Sequence, residues 1–192
     1  MKKKSLLLIL LLVLLLAGGA AAYRFLAPGL DAGGLGQNQQ GGSGGDDQRV
    51  MAPLVSFETL DGKKLDTSDF YGKPTIINFW ATWCGFCMEE MPAFQAVYET
   101  YGDRVNFLMI NQTAGESSLE DVKAVLQKEG YTFPVYLDKT YSGAQAYGFT
   151  GIPMTVLVDS EGYLLGGRNA AVTDVMLIEA IEEMLQMKNA PQ

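Results

Sequence analysis

From residue 51 onward the apolar positions switch between two spacings. Leu54 to Thr59 and Lys63 to Leu65 flank Asp61-Gly62 and predict a strand, a turn and a second strand. Pro74 to Ala81 reads Pro-Thr-Ile-Ile-Asn-Phe-Trp-Ala, a compact β-favouring run that suits a buried central strand. The spacing then lengthens to that of a helix. Met91, Phe94, Val97, Tyr98 and Tyr101 form an apolar stripe on a helix that starts near Cys84 and ends at Gly102. Val105 to Asn111 is another buried strand. Ser117-Ser118 cap a helix through Lys128, with Leu119, Val122, Val125 and Leu126 on one side and Gly130 closing it. Phe133 to Leu137 predicts a strand and Tyr141 to Tyr147 a short helix. Met154 to Asp159 and Tyr163 to Arg168 flank Ser160-Glu161-Gly162 as a hairpin. Thr173 then caps a last helix, with Val175, Ile178, Ile181 and Leu185 buried. Strands alternating with helices, closed by a hairpin and a helix, indicate a three-layer α/β domain with a mixed sheet.

The first fifty residues have a different character. Lys2, Lys3 and Lys4 precede an unbroken apolar or small stretch from Ser5 to Ala22. Residues 1–27 are therefore expected to be a signal peptide or an N-terminal membrane anchor, with the lysines on the cytoplasmic side and the rest outside. Ala20-Ala21-Ala22 fits a cleavage site, which would leave the domain secreted. The run is nevertheless close to bilayer-spanning length, and no cysteine in it offers a site for lipid attachment. Residues 28–50, dominated by Gly, Gln, Asn and Asp, are expected to be a flexible linker. A tether is most useful when its far end is held, which favours the retained anchor. Residues 51–188 form the expected domain and 189–192 a tail.

Composition removes several chemistries. None of the 192 residues is histidine, so Ser-His and Cys-His nucleophile pairs are excluded. Two cysteines cannot close a four-ligand zinc site, and no metal site is expected. From Met51 onward 9 Lys and Arg face 19 Asp and Glu, a net charge of −10, which disfavours nucleic acid as a partner.

The two cysteines stand in Trp83-Cys84-Gly85-Phe86-Cys87, between a predicted strand and a predicted helix. That is a redox constellation. A thiolate at a helix N-terminus faces unpaired N–H groups and the positive dipole end, so its pKa falls. Cys84 takes that position as the attacking thiol, and Cys87, a turn inside, is the resolving thiol. A purely structural bridge closing so short a loop would remove little unfolded-state entropy.

Asn78-Phe79-Trp80-Ala81-Thr82-Trp83-Cys84-Gly85-Phe86-Cys87 resembles the active-site segment of the thioredoxin superfamily, in detail its membrane-anchored TlpA/ResA-like thiol-disulfide oxidoreductases. Glu90 with Met91-Pro92, the run from Tyr147 to Thr155, and Asp159 with Gly162 match that branch. Ala52-Pro53, Phe57, Asp61-Gly62 and Gly72-Lys73 match its N-terminal extension. The resemblance implies a thioredoxin-like three-layer fold with a central mixed β-sheet, an N-terminal β extension and an inserted helix. It implies a cis Pro153 packed beside the cysteines, with Ile152 offering backbone groups to a bound peptide. It also implies an acid near the pair, at Glu90. Cys87 and Glu90, three apart on one helix, share a face, and a partly buried carboxyl there could relay protons. Cys84, Cys87 and Glu90 are thus the catalytic candidates, and Trp83, Gly85, Phe86, Ile152 and Pro153 the candidate client-binding surface. Trp80 and Trp83 are expected to form an apolar shoulder, with a mostly core position the other reading for Trp80. Asn78 stands where many relatives carry a buried aspartate, Phe86 departs from the usual Gly-Pro dipeptide, and Met88 replaces a frequent basic residue.

The leading reading is an anchored extracytoplasmic, monomeric disulfide reductase needing no cofactor beyond the Cys84–Cys87 disulfide. The resemblance implies client proteins with disulfides, such as apocytochrome c or a methionine sulfoxide reductase, and a membrane thiol electron donor of the CcdA/DsbD type. A disulfide-donating oxidase is the first alternative and a non-catalytic thioredoxin-like binding domain another. A thiol peroxidase requires a Pro-x-x-x-Thr/Ser-x-x-Cys run, and Ile77 and Ala81 occupy its first two marked places.

Overall fold

The computed structural model describes residues 49–116 and 118–188. The expected anchor at 1–27, nearly all of the 28–50 linker and the 189–192 tail lie outside them.

Strand β3 (Thr75–Trp80) is buried along its whole length. It pairs in parallel with β4 (Asn106–Asn111), which pairs in parallel with β5 (Val135–Leu137). Parallel neighbours need crossover connections. Helix α1 (Gly85–Tyr101) supplies the first and α2 (Leu119–Glu129) the second. β1 (Ser56–Thr59) and β2 (Lys64–Asp66) form an antiparallel hairpin that joins the sheet at β5. After α3 (Ser142–Tyr147), β6 (Met154–Val158) runs antiparallel to β3 and carries β7 (Leu164–Arg168) at the other edge. The order is β2-β1-β5-β4-β3-β6-β7, and α4 (Asp174–Lys188) closes the domain. β5 starts two residues later than its apolar run because Pro134 has no N–H to donate to a ladder.

Alternation along the strands makes two cores. Ile76 and Trp80 of β3, with Phe107 and Met109 of β4, pack against α1 and α4. Ile77 and Phe79, with Leu108 and Ile110, face Phe57 and the segment around Tyr147 and Phe149. Helix α3 lies close on this second face, and a Cβ at Gly143 would come 2.0 Å from Phe79 Cε1. Its start is fixed by the buried Asp138 carboxylate, which accepts from the Ser142 N–H at 3.0 Å and the Gly143 N–H at 2.9 Å.

Trp80 is fully buried and belongs to the core, so of the two tryptophans only Trp83 is exposed. One expectation is corrected. Helix α4 buries Leu177, Ile181 and Met184, while Val175 is 58% exposed, Ile178 is exposed and Leu185 is half-buried. Its sequence is apolar on more than one side, so periodicity did not select the face. Packing on α1 selects it, with the Tyr101 hydroxyl donating to Glu182 Oε1 at 2.8 Å. At the other end of the domain, Arg49 pairs with Glu161 at 2.7 Å and the Val50 carbonyl accepts from the Leu164 N–H.

Candidate active site

The chain leaves β3 at Trp80, turns through Ala81-Thr82-Trp83 and enters α1. Cys84 is the N-cap of α1, with extended backbone, and its Sγ accepts from the Cys87 N–H at 3.2 Å. The two Sγ atoms form a disulfide across a Cα–Cα distance of 5.2 Å. Cys84 thus occupies the end where the helix presents its unpaired N–H groups, and Cys87 is fully enclosed a turn inside. The local sequence dictates this asymmetry. A central strand buried along its length delivers Cys84 to its C-terminal end, and the α1 stripe of Cys87, Met91 and Phe94 turns Cys87 inward.

The Ile152–Pro153 peptide is cis. The Ile152 carbonyl oxygen lies 3.6 Å from Cys84 Sγ. Asn169, just beyond β7, donates through Nδ2 to the carbonyls of Gly151 and Pro153, the latter at 2.9 Å, and so ties this loop to the sheet. Trp83 and Phe86 are 60% and 67% exposed, and Gly85 is open between them. Beside Trp83 a groove of roughly 380 Å³ runs between Tyr141, Phe149 and Ile152.

The inner side differs. Glu90 is 2% exposed. Its Oε1 accepts from Asn78 Nδ2 at 2.8 Å and its Oε2 from the Val172 N–H at 2.9 Å. Asn78 Nδ2 also donates to Thr155 Oγ1 at 3.1 Å. Burial drives the Glu90 carboxyl up to about 7, against the opposing pull of the Val172 and Asn78 hydrogen bonds. A buried carboxyl held above its usual range therefore lies on the helix of the redox pair, one turn beyond Cys87. Its hydrogen bonds go to Asn78 and Val172; it shares a helix face with Cys87.

Of the sequence-derived candidates, the fold gathers Cys84, Cys87, Ile152 and Pro153, surrounds them with Trp83, Gly85 and Phe86, and buries Glu90 one turn beyond Cys87 on α1. Sequence reasoning missed Val172, Thr155, Asn169 and Tyr141. Thr155 directly follows the Ile152-Pro153-Met154 run and could have been picked by strand alternation. Val172 acts through its backbone and leaves no sequence signal. Among the described residues, no cluster of three or more metal-ligating side chains occurs.

Residues 49–165 match the AhpC/TSA family model. The chain belongs to that family. Its sequence relatives include thiol-disulfide oxidoreductases. ResA of Geobacillus thermodenitrificans (strain NG80-2), a thiol-disulfide oxidoreductase, is 32% identical over 136 residues, covering 70% of this chain and 74% of the relative. The thioredoxin-like protein YneN of Bacillus subtilis (strain 168) is 36% identical over 114 residues, 59% of this chain and 66% of the relative. The exposed lipoprotein thioredoxin Etrx1 of Streptococcus pneumoniae (strain TIGR4) superposes with a TM-score of 0.60 at 26% identity, covering 68% of this chain and 98% of that one. This member of the AhpC/TSA family is a thioredoxin-fold thiol-disulfide oxidoreductase. Where a peroxide-activating run would hold proline and a hydroxyl, it holds Ile77 and Ala81, both buried.

Proposed function

We propose that the protein works outside the cytoplasm as a reductase of disulfides in client proteins, with Cys84 attacking and Cys87 resolving. The observation that carries this reading is the asymmetry of the pair. Cys84 caps α1 beside Ile152 and keeps 7% of its surface exposed, whereas Cys87 is fully enclosed.

The reduced protein begins with two thiols. The Cys84 thiolate attacks one sulfur of the client disulfide, forming a mixed disulfide and expelling the other client sulfur as a thiolate, which takes a proton. Cys87 gives its proton to the Glu90 carboxylate and attacks Cys84 Sγ. The second client thiolate leaves and is protonated in turn. The client gains two electrons and two protons, and the protein is left with the Cys84–Cys87 disulfide. A membrane dithiol carrier of the CcdA/DsbD type then reduces that disulfide by the reverse exchange. Trp83, Gly85, Phe86, Ile152 and Pro153 hold the client segment across the pair.

An extracytoplasmic site is supported by the Lys2-Lys3-Lys4 start and the apolar stretch behind it, read as a retained anchor. It is also supported by the likeness to an exposed lipoprotein thioredoxin. Apocytochrome c and methionine sulfoxide reductase are the proposed clients. Redox titration against glutathione and dithiothreitol tests the direction. A reductase should have a midpoint potential towards that of thioredoxin, about −270 mV. A value near about −120 mV, that of a strong oxidant, would favour disulfide donation instead.

A further inference from the structure

The segment between β4 and α2 reaches back to the turn that precedes Cys84. Three donors converge on the Glu116 carboxylate. The Thr82 N–H donates to Oε1 at 2.6 Å, Asn111 Nδ2 donates to the same oxygen at 2.7 Å, and the Thr82 hydroxyl donates to Oε2. Asn111 is fully buried at the end of β4, and its Oδ1 accepts from Thr113 Oγ1 at 3.0 Å. The Gln112 N–H donates to the Trp80 carbonyl at 2.8 Å. One residue before Glu116 the chain passes against the aromatic wall of the groove. A Cβ added at Gly115 would stand 3.5 Å from both Trp83 Cζ2 and Nε1, and 2.6 Å from the Tyr141 hydroxyl.

These contacts have one consequence in common. Trp83 is largely exposed, and an exposed indole on a short turn would sample several orientations. Its backbone neighbour Thr82 is gripped at both N–H and hydroxyl by a carboxylate. Hydrogen bonds to a charged group are stronger than those between neutral groups. The Trp83 ring passes near Gly115, where an added Cβ would just reach van der Waals contact with it. The carboxylate is anchored through Asn111 to β4, the strand next to the one that carries the redox turn.

We propose that Glu116 is a positioning residue that fixes Trp83 as one wall of the client groove. The proposal deepens the functional reading above and rests on it. It predicts selectivity by size. A small disulfide reaches Cys84 without touching the groove, whereas a protein segment must lie against Trp83.

The test uses the full chain, reduced, as wild type, Glu116→Ala, Glu116→Gln and Gly115→Ala. Each is mixed with insulin and with glutathione disulfide, and second-order oxidation rates are measured. Acrylamide quenching of tryptophan fluorescence follows Trp83, because Trp80 is buried. Glu116→Ala is expected to slow the insulin reaction about tenfold and leave the glutathione disulfide reaction within about twofold, with quenching increased. Glu116→Gln, which retains an acceptor for the Thr82 N–H, should recover most of the insulin rate. Gly115→Ala leaves the carboxylate in place and presses on the Tyr141 hydroxyl rather than on Trp83, so quenching of Trp83 should stay at the wild-type level. Equal loss on both disulfides in Glu116→Ala, or unchanged rates with unchanged quenching in that variant, would overturn the positioning role alone. A wild-type protein inert to both disulfides would overturn the functional reading and this inference with it.

Discussion

On the outer side of the Cys84–Cys87 disulfide, Trp83 and Phe86 stand exposed around a sulfur at a helix N-terminus. On the inner side, Asn78, Glu90 and Thr155 are buried and joined by hydrogen bonds. The outer half is built from apolar side chains projecting from a turn. Their energy is realised only when a partner covers them. The inner half holds an ionisable carboxyl out of water, which is unfavourable for folding and useful only if the proton moves. The contrast separates recognition from proton handling. Changes on the outer side should alter which disulfides react, and changes on the inner side should alter rate and pH dependence for every disulfide.

The largest effect should come from the sulfur shared by both halves. Cys84→Ser removes the attacking atom and should abolish reduction of protein and small disulfides alike, as read by single-turnover kinetics. Glu90→Gln should come next. It removes the proposed proton acceptor for Cys87 and should slow release of the client from the mixed disulfide by about a hundredfold. It should also erase the pH inflection near the Glu90 value of about 7. The same carboxyl makes a stability prediction. Its folded pKa lies above the ordinary 4.5, so between those values the folded state binds more protons than the unfolded state. Stability should therefore fall as pH rises from about 4.5 to about 7, by up to about 3 kcal/mol, and then level off. Glu90→Gln should flatten that slope in thermal melts across the same range.

Smaller effects should separate the halves more finely. Trp83→Ala should weaken productive binding of a protein client by about 1–2 kcal/mol and leave the glutathione disulfide rate and the pH profile unchanged. Asn78→Ala should do the reverse. It removes a donor that favours the charged carboxylate, so the Glu90 pKa should rise further, shifting the pH profile upward with no change in client preference. If Trp83→Ala moved the pH profile, or Asn78→Ala changed client preference, the division between outer and inner halves would fail.

The parts of this site that follow from local chain chemistry were legible before the fold was known. β3 is marked by its uninterrupted β-favouring residues, and the Cys84 N-cap by a cysteine pair between strand and helix. The cis Pro153 was expected only through the family resemblance, because composition alone favours trans. What was not legible depends on long-range geometry. Glu90 meets the Val172 backbone 82 residues away, and Glu116 meets Thr82 across 34. Neither contact has a sequence period. The buried face of α4 escaped for another reason. Val175-Met176-Leu177-Ile178 is apolar all round, so only the surface of α1 and the sheet could choose among its faces.

The central claim is the order of attack, and trapping tests it most directly. The Cys87→Ser and Cys84→Ser variants would each be expressed as the full chain in the native host, and proteins disulfide-linked to them identified by mass spectrometry. The asymmetry of the pair predicts that Cys87→Ser accumulates mixed disulfides through Cys84, and that Cys84→Ser accumulates none. Mixed disulfides through Cys87 in the Cys84→Ser variant, with none from Cys87→Ser, would contradict it.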